Sequence, residues 1–180
     1  SPIMVPREFA NGESAMTDLQ IGGMWLTVNR RCNFFCPWCY AKRPSNYPLD
    51  DMSPLLSEKL IDLAAQIGVF SVTLLGGEPT LWPHLIPTIS KIDQMGMTPT
   101  LVTNGYRFKD PKFVDRIVDS PLAAISLSLK AGNIKQQIEL TKTDSLQQVC
   151  EGMRNLVSRG TLFDVCITIV APILANLEDL

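Results

Sequence analysis

Apolar residues along this chain follow two alternating rhythms. Short runs dense in apolar and β-branched residues read as strands: MWLTVNR (Met24–Arg30), FSVTLL (Phe70–Leu75), TPTLVT (Thr98–Thr103), LAAISLSL (Leu122–Leu129) and LFDVCITIV (Leu162–Val170). Between them apolar positions recur at helical spacing, with Leu60, Ile61, Ala64 and Ile67 in a helix over 57–67 and Leu146, Val149, Met153 and Leu156 in one over 144–158. Two more helices are predicted over 84–95 and 111–118, and NLEDL at the end of the sequence opens another.

Near-continuous apolar strands that alternate with helices are parallel strands joined by right-handed crossovers. Five such units fit a doubly wound sheet or part of a (β/α) barrel. Because the text stops as a helix opens, we expect an α/β fold built as a partial barrel of parallel strands. Residues 1–22 mix Pro, Gly, Asn and Ser without periodicity and read as an N-terminal arm, leaving one core domain over 23–180.

Composition narrows the function class only a little. With 46% apolar and 19% charged residues and a net charge of −2, the chain has the balance of an ordinary globular protein. That charge offers no pull toward nucleic acid or an anionic membrane. No apolar run reaches the roughly 18 residues of a membrane span, and SPIMVPREFA lacks the basic start and apolar middle of a secretory signal, so a cytoplasmic protein is expected. Of five cysteines, three fall in RCNFFCPWCY while Cys150 and Cys166 stand apart, which favours metal binding over a disulfide framework.

The unusual residues cluster after the strands. Cys32, Cys36 and Cys39 follow the first, Gly76-Gly77-Glu78-Pro79 the second, Asn104-Gly105 the third, and Lys130-Ala131-Gly132-Asn133 the fourth. In a parallel barrel all of these lie at C-terminal strand ends and converge on one mouth, where such barrels carry out chemistry. Three thiolates are one ligand short of a closed zinc site or a fully protein-held iron–sulfur cluster. His84, the sole histidine, starts a helix one strand away, so the three cysteines leave one metal position open for a small molecule.

Cys-x3-Cys-x2-Cys after the first strand, with the aromatic Trp38 before the last cysteine and Gly-Gly-Glu-Pro after the second strand, resembles the radical S-adenosylmethionine (SAM) superfamily. The resemblance implies a (β/α)6 barrel in the complete protein and a 4Fe-4S cluster held by Cys32, Cys36 and Cys39. It implies that SAM chelates the fourth iron and is cleaved reductively to a 5'-deoxyadenosyl radical that takes hydrogen from a substrate. Gly76, Gly77 and Glu78 match the turn that receives the SAM amino group, the glycines by close approach and unusual dihedrals, Glu78 as a counter-charge. Trp38 matches the position that meets adenine, or plugs the site against water. Asn104 is a contact near SAM or a plain turn residue. Ser128 or Lys130 would meet the ribose hydroxyls or the SAM carboxylate; relatives often place an acidic residue here, and SLK is similar to the Asp-x-Lys segment of glycyl-radical activating members. Thr168 either lines the cavity or packs in the core, and packing is expected.

The resemblance also implies a low-potential electron donor such as flavodoxin or ferredoxin, with Arg30, Arg31, Lys42 and Arg43 either as a basic collar for it or as solvated loop charge. CNFFCPWCY and GGEPTLWPHL look most like members that modify peptides or proteins. The alternatives are a glycyl-radical-enzyme activase, a small-molecule or nucleoside enzyme, and, outside catalysis, a metal-binding interaction module. No residue is assigned to the substrate.

Overall fold

The structure, a computed structural model, describes residues 21–42 and 51–174. Five strands, β1 (Gly23–Thr27), β2 (Ser71–Leu75), β3 (Thr98–Thr103), β4 (Ala124–Leu129) and β5 (Asp164–Ile167), pair in the order of the sequence. Every pairing is parallel. A doubly wound sheet reverses its strand order at a switch point; this one never does, so the strands form a segment of a barrel.

Helices α1 (Pro54–Gln66), α2 (Leu85–Gln94), α3 (Pro111–Val118), α4 (Ile134–Thr141) and α5 (Leu146–Val157) cross between strands, and a short α6 (Ala171–Leu174) follows β5. Two of them start on strong local signals. Ser53 caps α1 by accepting from the Leu56 N–H, Asp110 caps α3 by accepting from the Lys112 N–H, and each cap is followed by a proline at the first helical position.

The core lies between one face of the sheet and the helices. Val72, Leu74, Leu101, Ile125 and Leu127 pack there with Ile61, Ile89, Ile92, Val114, Ile117, Val149 and Leu156. Fully burying a side chain of this size contributes about 1.5–3 kcal/mol. Strand alternation sends Trp25, Thr27, Thr73, Thr100, Ser126 and Ser128 to the opposite face. Gly105, at φ +77, turns the chain after β3, and Gly152 lets α5 cross that turn: a Cβ on Gly152 would stand 2.7 Å from the Gly105 carbonyl oxygen.

Three expectations need correction. The first strand ends at Thr27, short of the expected Arg30, and Leu26 is buried while Trp25 is 77% exposed, because β1 ends the strand order and its second face is open. The fifth strand is shorter than expected and exposed along its length, for the same reason.

The third correction is α4, which the apolar spacing did not signal. Its buried residues are Gln136, Gln137, Leu140 and Thr141, while Ile134 and Ile138 are 53% and 45% exposed. A helix that buries polar residues and exposes apolar ones inverts the pattern that periodicity detects. The cap was legible: Asn133 accepts from the Gln136 N–H. The helix expected from NLEDL and all of the N-terminal arm but its last two residues lie outside the described residues. Among the described residues no helix is long and apolar enough to cross a membrane.

Candidate functional site: a cysteine loop at the barrel mouth

Past Thr27 the chain leaves β1 but stays bonded to the exit of β2. Val28 N–H donates to the Leu75 carbonyl (2.9 Å), Gly77 N–H to that of Asn29 (3.0 Å) and Glu78 N–H to that of Arg31 (2.8 Å). The two segments run so close that no side chain fits between them. A Cβ on Gly76 would stand 2.5 Å from the Asn29 carbonyl oxygen and equally near its Oδ1, and one on Gly77 would stand 2.3 Å from the Arg31 carbonyl oxygen. Neither glycine has a positive φ, so this turn requires glycine for close approach and not for an unusual dihedral.

The cysteine loop is therefore anchored at its root. Phe34 buries its ring in the main core and the Cys39 N–H closes a turn onto the Cys36 carbonyl (3.2 Å). Phe35 N–H donates to the Thr141 carbonyl at the end of α4 (2.7 Å). Trp38 packs against both the main core and a small cluster of Ala131, Leu140 and Ile173. Cys36 is buried, Cys32 and Cys39 are half-buried, and no disulfide joins any of the five cysteines.

Glu78 is almost wholly buried, at 1% exposure. Its Oε1 accepts from Thr80 N–H (3.1 Å), Thr80 Oγ1 (2.6 Å) and Thr103 Oγ1 (2.7 Å), and its Oε2 from Asn104 N–H (2.8 Å). Burial pushes the carboxyl above its ordinary range and these donors pull it back. Through these bonds Glu78, expected as a counter-charge, also braces the ends of β2 and β3.

Asn104 is more than a turn residue. Its Oδ1 accepts from Tyr106 N–H (3.0 Å), while its Nδ2 donates to Asn33 Oδ1 (2.9 Å) and lies 3.8 Å from Cys32 Sγ. Cys32 Sγ also accepts from Phe34 N–H (3.3 Å). Burial, helped by the negative charge of Glu78 and the neighbouring cysteines, pushes the Cys32 thiol up to about 11 against the pull of that N–H. A metal must displace this proton to take the sulfur as a ligand.

The five strand ends enclose one cavity of about 620 Å³. Its walls include Cys32, Cys36, Cys39 and Trp38 from the first loop, Gly76, Gly77 and Glu78 from the second, and Asn104, Ser128, Lys130 and Thr168 from the remaining strand ends. Lys130 Nζ donates to Ser128 Oγ. Thr168 is exposed and lines the cavity, correcting the core packing expected of it, because β5 has no strand beyond it in the order.

The donor set suits a multi-iron cluster. Three soft thiol side chains, those of Cys32, Cys36 and Cys39, line one cavity. Soft thiolates are the donors that iron–sulfur clusters take.

Sequence reasoning missed several supports. Asn29, 2% exposed, donates from Nδ2 to the Glu78 carbonyl (2.8 Å) and leaves its Oδ1 without a partner among the described residues. Its signal was a polar residue closing an apolar strand. Thr80 and Thr103 carried none. The basic collar is partly dissolved: Arg31 forms a two-pronged pair with Asp51 (2.9 and 2.6 Å), while Arg43 and the side chain of Lys42 lie outside the described residues. His84, as expected, starts α2, and its ring lies edge-on to Trp82.

Comparison with known proteins agrees with this geometry. A family model described as the radical SAM superfamily matches residues 26–180. The chain is 33% identical over 140 residues to a probable GTP 3',8-cyclase of Sulfolobus acidocaldarius, covering 75% of this chain and 42% of that protein. It is 30% identical over 138 residues to a protein of the same name from Saccharolobus solfataricus, covering 75% and 43%. The chain thus spans less than half the length of these relatives. A solved structure of anSMEcpe with bound AdoMet superposes with a TM-score of 0.72 at 14% identity, covering 88% of this chain and 46% of that one, which shows a shared fold. The chain belongs to the radical SAM superfamily, whose enzymes use a 4Fe-4S cluster and SAM.

Proposed function

We propose that this chain is the SAM-cleaving core of an enzyme that acts on a small polar molecule of the nucleotide class. The observation that carries the reading is the single cavity into which one loop brings three cysteines and the other strand ends bring Gly76, Gly77, Asn104, Ser128 and Lys130. Its volume of about 620 Å³ falls within the range of about 300–1,000 Å³ usual for small-molecule sites.

When bound, the cluster and SAM supply reductive cleavage and a carbon-centred radical; the protein supplies position and dryness. Cys32, Cys36 and Cys39 hold the cluster. The backbone of Gly76 and Gly77 would receive the SAM ammonium. Lys130, tied to Ser128 through one of its three protons, would supply a positive charge at the cavity wall for the SAM carboxylate. Trp38, braced on two apolar clusters, keeps water from the thiolates. A low-potential protein such as a flavodoxin or ferredoxin provides the electron.

Two observations move the substrate from the peptide suggested by the sequence wording toward a small molecule. The relatives at 30–33% identity bear the name of an enzyme acting on GTP. The sheet face that continues from the cavity carries Thr27, Thr73, Thr100, Ser126 and Ser128 beside the apolar Trp25, Leu75 and Val102, with Thr73 and Thr100 bonded through their hydroxyls (2.9 Å). Hydroxyls set among apolar side chains suit a small ligand that combines hydrogen-bonding groups with a ring.

The test is anaerobic reconstitution of the full-length protein with iron and sulfide, followed by SAM and dithionite, with GTP or a mixed peptide pool added. Formation of 5'-deoxyadenosine and methionine, accelerated by GTP and not by peptides, is expected. Acceleration by peptides alone would overturn the substrate assignment; no cleavage at all would overturn the enzyme.

A further inference from the structure

Asn104 belongs to β3's exit, yet its side chain works on the cysteine loop. The backbone is fixed first: Asn104 N–H is held by Glu78 Oε2 (2.8 Å), and Gly105 N–H is held by Thr103 Oγ1 (3.1 Å). The side chain is fixed next. Oδ1 accepts from Tyr106 N–H (3.0 Å), so the acceptor end of the amide is committed and its NH2 group must face the other way. There it meets Asn33 Oδ1 (2.9 Å) and Cys32 Sγ (3.8 Å).

The amide has two protons, and Asn33 takes one. The second is aimed at a sulfur that already accepts from Phe34 N–H at 3.3 Å. Resting on the reading of Cys32 as a cluster ligand, we propose that Asn104 is a positioning residue that donates an N–H···S hydrogen bond to the Cys32 thiolate and thereby sets the reduction potential of the cluster.

The physical consequence has a sign. Reduction adds negative charge to the cluster, and part of that charge resides on its sulfur ligands. A donor aimed at a ligating sulfur stabilises the reduced form more than the oxidised one and raises the potential. The bond strengthens once the thiol loses its proton to metal, because its acceptor is then charged. The same side chain also ties Asn33 to β3's exit, so it fixes where Cys32 presents its sulfur as well as how the sulfur is charged.

The experiment compares the reconstituted full-length protein with Asn104→Ser and Asn104→Asp. Both variants keep an oxygen that can accept from Tyr106 N–H, and neither can donate an amide proton to sulfur. Redox titration followed by electron paramagnetic resonance (EPR) reads the midpoint potential, with iron content and thermal melting measured alongside. The expected result is a shift to more negative potential in both variants, larger in Asn104→Asp because it adds a carboxylate beside the sulfur. Unchanged midpoints in both overturn the proposal. So does a variant that melts like the parent but takes up no iron, because the amide would then serve assembly instead of tuning. If Asn104→Ser fails to fold, the near-isosteric Asn104→Asp carries the comparison. Failure of the function reading looks different: the parent itself then forms no cluster whose EPR signal responds to SAM, and the proposal falls with it.

Discussion

The main-chain N–H of Phe35, midway along the cysteine loop, donates to the carbonyl oxygen of Thr141 at 2.7 Å. Thr141 is the last residue of α4, where helix carbonyls lack an intrahelical partner. The loop and the helix end therefore satisfy each other. This seats the cysteines against β4's crossover as well as against β1 and β2, so α4 is part of the site although it contributes no ligand.

That seating is sensitive to the Thr141 hydroxyl. Fully buried, it donates to the Gln137 carbonyl (2.7 Å) and pairs with Thr143 Oγ1 (2.7 Å). Thr141→Val keeps the shape and removes these bonds, and the expected loss is about 1–3 kcal/mol. Urea unfolding measures it, and iron bound per chain after reconstitution should fall with it. An unchanged urea midpoint would remove α4 from the account of the loop.

The Gly77 position should tolerate no side chain. A Cβ there would lie 2.3 Å from one backbone oxygen and 2.5 Å from another. Because neither oxygen sits on a flexible side chain, Gly77→Ala is expected to cost about 3 kcal/mol. Gly160→Ala is the comparison: its φ of +70 disfavours alanine, but nothing lies within 4 Å of the added carbon, and the cost is about 1 kcal/mol. Equal losses in the two variants would contradict the close approach of the Asn29–Arg31 segment.

Much of the site was visible in the text because strand ends and special turns coincide there. The cysteines, Gly76-Gly77-Glu78, Asn104, Ser128 and Lys130 all reach one cavity, and β3 and α3 occupy their expected residues. What stayed hidden is tertiary. Gln136 and Gln137 are buried through α4's docking, not through any apolar rhythm, and the four donors around Glu78 come from two separate strand ends. A carboxylate after Gly-Gly reads as an exposed charge until its neighbours are known.

Glu78 also gives the protein a pH dependence with a definite sign. Burial holds its native carboxyl above the ordinary range, so the native state binds this proton more tightly than the unfolded chain does. Stability from that proton is present below the unfolded value of about 4.3 and is lost as pH rises through the native one. Glu78→Gln cannot titrate, and its nitrogen would face the Asn104 N–H, a mismatch of about 1–3 kcal/mol. Urea midpoints should show the parent's advantage over Glu78→Gln shrinking over the interval in which pH rises above about 4.3. An advantage that grows over that interval would contradict the direction.

The most direct measurement is EPR of the reduced, reconstituted full-length protein with and without SAM, with iron counted in parallel. The expected result is a reduced-cluster signal that changes when SAM is added, and loss of that signal together with about four irons per chain on replacing Cys32, Cys36 or Cys39 by alanine. A full cluster whose signal ignores SAM, or one that survives loss of any of the three cysteines, would contradict the claim that this loop leaves one iron open for SAM.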